Sequence, residues 1–213
     1  MVYHVINRAN ARLPIFQTAD DYNLFETVLT EVKERTDMRI LAYCIMPNHW
    51  HLILYPRNDG DLSRFTGLLA MTHTQRWHSA HQSIGTGHLY QGRYKSFPVQ
   101  TDEYFLWVCR YVERNPLRAQ LVKRAEHWRW SSTWRRENGT HKHKQLLDPW
   151  PTDPPKNYLD WLNEQEDNVL LERVRTSINR GKPFGSPAWV ERIIKKFNLY
   201  STIRPRGRPK KGS

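Results

Sequence analysis

The chain's 213 residues allow one catalytic domain with a smaller appendage and a core of ordinary size. Thirty-three Lys and Arg against twenty-one Asp and Glu give a net charge of +12 and a pI near 9.9, a field that attracts polyanions, nucleic acid before anionic membrane. With 38% hydrophobic residues, a mean hydropathy of −0.78 and no apolar run near the ~18 residues that span a bilayer, the composition excludes a membrane-embedded chain. Two cysteines, Cys44 and Cys109, fit a reducing cytosol and no disulfide framework, and Met1-Val2-Tyr3-His4 opens no secretory signal. Nine Trp and ten Tyr offer flat faces on which unpaired bases stack, although core packing accounts for most of them.

Tyr3 to Arg8 alternates and reads as a first strand. Thr18-Ala19-Asp20-Asp21 reads as a capped helix start, and Leu24, Phe25, Val28, Leu29 and Val32 then recur at helical spacing. Arg39 to Met46 is a second strand, turning at Pro47-Asn48 into a third, His49 to Tyr55, so the two form an antiparallel hairpin. Leu62, Phe65, Leu68 and Leu69 mark a second helix to about Trp77, followed by a loop from Ser79 to Thr86. Leu89 to Val99 reads as a strand interrupted at Gly92, with a bulge there. The order β-α-β-β-α-β is the ferredoxin-like arrangement: an α+β fold with an antiparallel sheet and helices on one face. A further helix is expected from Thr101, as cap, through Asn115, where Pro116 should stop it.

The composition then shifts. Residues 136–156, with Asp148-Pro149-Trp150-Pro151 and Asp153-Pro154-Pro155, read as a semi-stiff linker after a catalytic domain of residues 1–135. Residues 157–200 read as a small helical region: Val169, Leu170, Val174 and Ile178 mark one helix ending at Gly181, and Ser186-Pro187 opens another. That region fits a DNA-binding appendage or a plain docking module. Residues 201–213 form a basic tail, where Arg204, Arg206, Gly207, Arg208 and Lys210 with interleaved prolines look like an AT-hook able to enter a narrow minor groove. A solvating tail that attracts phosphates without preference is the alternative.

Residues two apart on a strand point the same way, so His49 and His51 share one face and Trp50 takes the other. Two imidazoles on a rigid strand can hold a divalent ion and leave its other positions open. The same spacing in His141-Lys142-His143, within a polar run expected to be looped, shows that spacing alone is weak evidence. Tyr111 and Asn115 are four apart and share one helix face; taken singly, they are equally a core tyrosine and a helix stop. With His49, His51 and the Asn115 oxygen as ligands, two nitrogens and an oxygen suit Mg²⁺ or Mn²⁺, Mn²⁺ better matching imidazole. Such an ion would polarise a phosphodiester that Tyr111 attacks. A free phenol has a pKa of about 10 and needs help to react as phenolate. A zinc hydrolase on the same pair lacks a third His, Cys or acid at convincing spacing.

The runs Met46-Pro47-Asn48-His49-Trp50-His51 and Tyr111-Val112-Glu113-Arg114-Asn115-Pro116-Leu117-Arg118-Ala119 resemble the single-tyrosine transposases of the HUH superfamily, and within it the REP-associated tyrosine transposases of bacteria. Tyr3-His4-Val5, Gln91-Gly92-Arg93-Tyr94 and Trp130-Ser131-Ser132 resemble further runs of that family, over roughly residues 2–134 plus the tail. The resemblance implies a ferredoxin-like core, a divalent metal on the two histidines, a tyrosine nucleophile at 111 and an amide ligand at 115. It implies single-stranded or hairpin DNA as substrate, typically short palindromic repeats, cut and rejoined through a 5′-phosphotyrosine. Arg93 and Lys95 are expected to contact that DNA, and the tail an A·T-rich duplex. No nucleotide cofactor and no membrane partner are expected; the protein is expected to be a monomer or homodimer in the bacterial cytoplasm, at the nucleoid. One departure is that Met1 nearly opens the first strand, where the family has more residues, which bears on folding and guide-sequence contacts and not on the chemistry. The other reading is a repeat-DNA regulator that uses the scaffold without the chemistry.

Overall fold

The structure is a computed structural model and describes residues 1–204. Four strands, β1 (Val2–Arg8), β2 (Arg39–Met46), β3 (His49–Tyr55) and β4 (Lys95–Val99), form one antiparallel sheet in the order β2-β3-β1-β4. Helix α1 (Ala19–Thr36) joins β1 to β2, and α2 (Asp61–Ala80) joins β3 to β4. This is the ferredoxin-like α+β arrangement read from the sequence. Thr18 caps α1 as expected: its hydroxyl accepts from the Asp21 N–H and the Asp21 carboxylate accepts from the Thr18 N–H, a reciprocal box.

The two faces of the sheet carry separate cores. On one, Val5, Tyr43, Trp50, Leu52 and Leu54 pack under Phe25, Val28, Leu29 and Val32 of α1 and Phe65 and Leu69 of α2. On the other, Ala42, Cys44, Ile53, Phe97 and Val99 pack under Phe105, Val108, Cys109 and Val112 of α3 (Glu103–Glu113). A register shift between Ile40 and Ala42 in the β2–β3 pairing lets Leu41 and Ala42 both serve this second core. Helices thus cover both faces, α1 and α2 one and α3 the other.

Four local expectations change. Asp102, not Thr101, caps α3, its carboxylate accepting from the Tyr104 N–H. The chain does not leave helical geometry at Asn115: Arg114 joins α3 to a short α4 (Asn115–Arg118), whose first turn accepts Pro116 because no N–H is needed there. β4 begins only at Lys95. Before it, Leu89 and Tyr90 turn into the first core and Tyr90 makes an isolated bridge to Ala9, so Gly92 lies in an irregular approach and marks no bulge. His141-Lys142-His143 lies in a helical turn, α6 (His141–Lys144), after α5 (Ser132–Asn138).

Residues 136–156, expected as a semi-stiff linker, follow the open edge of β2. Ile40 N–H donates to the Asp148 carboxylate (2.9 Å), and the Trp150 indole donates to the Leu41 carbonyl (2.7 Å). Just upstream, Tyr43 N–H donates to Ser132 Oγ (2.9 Å) and Ile45 N–H to the Trp130 carbonyl (2.9 Å). An unpaired strand edge has a row of orphan donors and acceptors, and this segment satisfies them. The opposite edge, β4, is met by Phe184, whose N–H donates to the Pro98 carbonyl (2.9 Å). Beyond α7 (Tyr158–Asn163), α8 (Asn168–Arg180) lays Val174 on the second core, and Gly181 ends it in the left-handed conformation (φ 70°). Ser186 caps α9 (Pro187–Phe197) through the Trp189 N–H, as the Ser-Pro pair predicts.

One carboxylate ties α3 to these later segments. Glu113 is fully buried and accepts from Ser132 Oγ (2.5 Å), the Arg136 guanidinium (2.6 Å) and the Tyr158 hydroxyl (2.7 Å). Glu113→Ala leaves the Arg136 guanidinium without its counter-charge and the Tyr158 hydroxyl without its acceptor, an expected loss of about 3–5 kcal/mol. Urea denaturation measures it; a loss under about 1 kcal/mol would mean that these groups find other partners.

Candidate active site

β3 leaves the Pro47-Asn48 turn with its side chains divided between the two cores. Trp50 is fully buried on the α1/α2 side, its indole donating to Tyr90 Oη (2.9 Å), which also meets His73 Nδ1 (2.8 Å). His49 and His51 stand on the α3 side with ring centroids 5.0 Å apart. The apolar stripe of α3 docks on that same face, so Tyr111, one turn before the helix gives way to α4, lies over it. Its ring centroid is 5.9 Å from that of His51. A strand and a helix 60 residues apart in sequence (111 − 51) therefore meet in one chain.

The proton on His49 is fixed by its neighbour. The Asn48 amide donates to the Arg12 carbonyl (3.1 Å), which turns its oxygen toward His49 Nδ1 (2.6 Å). An amide oxygen only accepts, so His49 carries its proton on Nδ1 and keeps a lone pair on Nε2. His51 Nδ1 faces His4 Nε2 at 2.8 Å, which leaves His51 Nε2 as its other ring nitrogen. Burial, with the Arg8 charge behind it, lowers the His49 pKa to about 4, and burial with the nearby His49 lowers that of His4 to about 3. Burial likewise holds His51 well below its ordinary value. All three are neutral at pH 7, the form in which imidazole binds metal.

The Asn115 amide is turned by its own helix: Nδ2 donates to the Tyr111 and Val112 carbonyls (3.1 and 3.2 Å), while Oδ1 accepts from the Arg118 guanidinium (3.1 Å). Arg118 lies 4.5 Å over the Tyr111 ring and is paired with Glu166, Nε and Nη2 donating at 2.9 and 2.6 Å. Burial raises the Tyr111 pKa; the Arg118 charge opposes it, and Arg175 opposes it too. The phenol is therefore protonated at neutral pH.

Among the described residues, no group of three or more His, Cys, Asp or Glu side chains could hold a metal ion. Two imidazoles and an amide oxygen, as a donor set, fit a divalent ion completing its shell with water or phosphate oxygens, and the His49 tautomer leaves a lone pair on Nε2. The Asn115 oxygen is shared with Arg118, so it is the weakest of the three donors.

Arg93 and Lys95 line a cavity of about 210 Å³ together with Arg8, whose backbone pairs with His49. Arg204 is exposed, its carbonyl accepting from Arg180. Arg206, Gly207, Arg208 and Lys210 lie outside the described residues. Four further residues shape the site. Asn48 and His4 stand inside runs quoted for the family resemblance, but were read as a turn residue and a strand residue with no role in the site. Arg118 and Glu166 meet across 48 residues, a separation no local pattern reveals.

The fold thus sets paired imidazoles on β3 against a tyrosine near the end of α3. A family model described as "Transposase IS200 like" matches residues 1–115, more than half of the chain, and the chain belongs to that family. Among solved structures, a REP-associated tyrosine transposase bound to a REP hairpin superposes with a TM-score of 0.52 at 17% identity, covering 78% of this chain and 85% of that one. Another, described as a candidate transposase from Deinococcus radiodurans, gives a TM-score of 0.41 at 20% identity, covering 57% and 85%. No curated protein matches the sequence. No helix among the described residues is long and apolar enough to cross a membrane.

The neutral histidines link stability to pH. Native His49, lowered to about 4, resists protonation that the unfolded chain accepts near 6.5. Its contribution is present above pH 6.5 and is lost as pH falls toward 4, at up to about 1.4 kcal/mol per pH unit. Urea denaturation at pH 7, 6 and 5 should show a shallower decline for His49→Gln than for the parent protein. Equal slopes would show that native His49 protonates at its ordinary value.

Proposed function

We propose that this protein cuts and rejoins single-stranded or hairpin DNA, with Tyr111 as nucleophile and His49, His51 and Asn115 as ligands of one Mg²⁺ or Mn²⁺ ion. The observation that carries this reading is the approach of the Tyr111 ring to His51, with His49 beside it, inside one chain. Membership of the IS200-like transposase family gives the reaction class, and the hairpin-bound relative supports a palindromic DNA element as substrate.

The bound ion supplies a Lewis acid that polarises the scissile phosphodiester and offsets charge on the departing oxygen. The chain's own groups do the rest. Tyr111 Oη attacks phosphorus, losing its proton, as the bond from phosphorus to the 3′ oxygen breaks. That oxygen takes up a proton and becomes a free 3′-hydroxyl, while the 5′ phosphate stays on tyrosine. The phosphotyrosine keeps the energy of the broken ester, so a second 3′-hydroxyl can displace it without ATP. The Arg118 guanidinium over the ring favours the phenolate as it forms, and Glu166 holds Arg118 in place. Arg8, Arg93 and Lys95 line one cavity beside His49 and give the strand's phosphates a cationic seat. The basic tail, Arg204 to Lys210, adds an A·T-rich duplex contact in the AT-hook manner.

Tyr111→Phe should abolish covalent capture of a labelled hairpin in Mn²⁺ while leaving its binding unchanged, and EDTA should abolish capture by the parent protein. Equal adduct from the mutant removes Tyr111 as nucleophile; binding with no capture by either protein leaves the regulator reading. Deleting residues 204–213 should weaken duplex affinity and flatten its salt dependence. An unchanged slope would take the tail out of DNA binding.

A further inference from the structure

The contact between His4 and His51 carries a proton count that the proposed chemistry does not yet use. His4 lies at the centre of β1, fully buried, with its ring stacked on Phe97 (centroids 4.8 Å, 29°). Its Nε2 meets His51 Nδ1 at 2.8 Å, and its Nδ1 is buried with no hydrogen-bond partner. Two neutral imidazoles joined this way share one proton between the facing nitrogens, so only two arrangements exist. In the first, His4 Nε2–H donates to His51 Nδ1; the His51 proton then sits on Nε2, and that nitrogen has no lone pair for an ion. In the second, His51 Nδ1–H donates to His4 Nε2; His51 Nε2 is free to ligate, and the His4 proton moves to Nδ1. Histidine ligands commonly donate their second ring N–H to an acceptor that fixes the tautomer. Asn48 does this for His49 with an oxygen that can only accept. His4 is different, because it can face His51 as donor or as acceptor.

We propose that His4 is the positioning residue that makes His51 a ligand, and that ion binding switches the pair from the first arrangement to the second. The inference rests on the proposed ion site at His49 and His51. The unpartnered His4 Nδ1 gives the switch its direction. Without an ion, Nδ1 is an unused acceptor, which a buried site tolerates better than an unused N–H donor. Ion binding therefore has to place a buried N–H where no acceptor waits, and the ion's hold on His51 is set partly by a residue that never touches it.

The test measures Mn²⁺ binding by calorimetry in the full chain without DNA, alongside thermal midpoints. His4→Phe keeps an aromatic ring on Phe97 but removes the acceptor, and a ten- to hundredfold weaker Mn²⁺ affinity is expected, the usual scale for losing such a partner. His4→Gln, whose side-chain oxygen can accept the same N–H, should bind within about threefold of the parent protein, since the acceptor is restored. A second readout needs no variant: ¹⁵N chemical shifts of the histidine rings should show His51 protonated on Nε2 without ion and on Nδ1 in saturating Mg²⁺. Parent-like Mn²⁺ affinity in His4→Phe, equal losses in both variants at unchanged thermal midpoints, or the same His51 tautomer with and without Mg²⁺ would each overturn the switch while leaving the ion site standing. Failure of the parent protein to bind Mn²⁺ would overturn the ion site itself, and the switch with it.

Discussion

A β-strand must divide its side chains between two faces, and in β3 that division sets everything else. Trp50, Leu52 and Leu54 go under α1 and α2, so His49 and His51 must face the other way, with Ile53. A sheet covered on one face only would leave those imidazoles in water at ordinary pKa values. α3 covers the second face and so does two things at once: it brings Tyr111 to the histidines and it dries them. Desolvation keeps the rings neutral, and neutrality is what a ligand needs. Packing and chemistry here follow from one placement.

That placement is held from the edges of the sheet. The outer side of β2 is bonded by residues 130–150, and β4 is met by Phe184. The guanidiniums of Arg110 on α3 and Arg114 at its junction with α4 donate to carbonyls at the end of α7, including those of Leu162 and Glu164. A helix C-terminus carries partial negative charge, so these guanidiniums suit that position. The last third of the described chain is thus bound closely to the scaffold that positions the site.

Much of the frame was legible because it is local. Alternation gave β1, apolar runs either side of the Pro47-Asn48 turn gave β2 and β3, helical spacing gave α1 and α2, and the caps at Thr18 and Ser186 were read at the right residues. His49, His51, Tyr111 and Asn115 were singled out by spacing and by resemblance to a family. The misreadings share a cause: tertiary partners decided them. β4 is short because Leu89 and Tyr90 are drawn into the first core. Asp102 takes the cap that Thr101 could have offered. Glu166 was passed over, and Asn48, His4 and Arg118 were quoted in family-like runs without a role, because a side chain's role is set by what it faces. Asn48 faces a histidine one residue away, whereas His4 meets its partner across 47 positions and Arg118 across 48. No window on the sequence spans that.

The ion pair over Tyr111 has a consequence for how the molecule is made. Glu166 is joined to Arg118 only after a further 48 residues have been synthesised, roughly 2–10 seconds at ordinary ribosome speeds. Until then the guanidinium over the tyrosine has no counter-charge, and the Glu113 carboxylate waits for Tyr158. The nascent protein has its sheet and its histidines early, and the guanidinium over the tyrosine gains its partner later. The charge balance over the tyrosine is in this way completed only after the sheet and its covering helix α3 have been made.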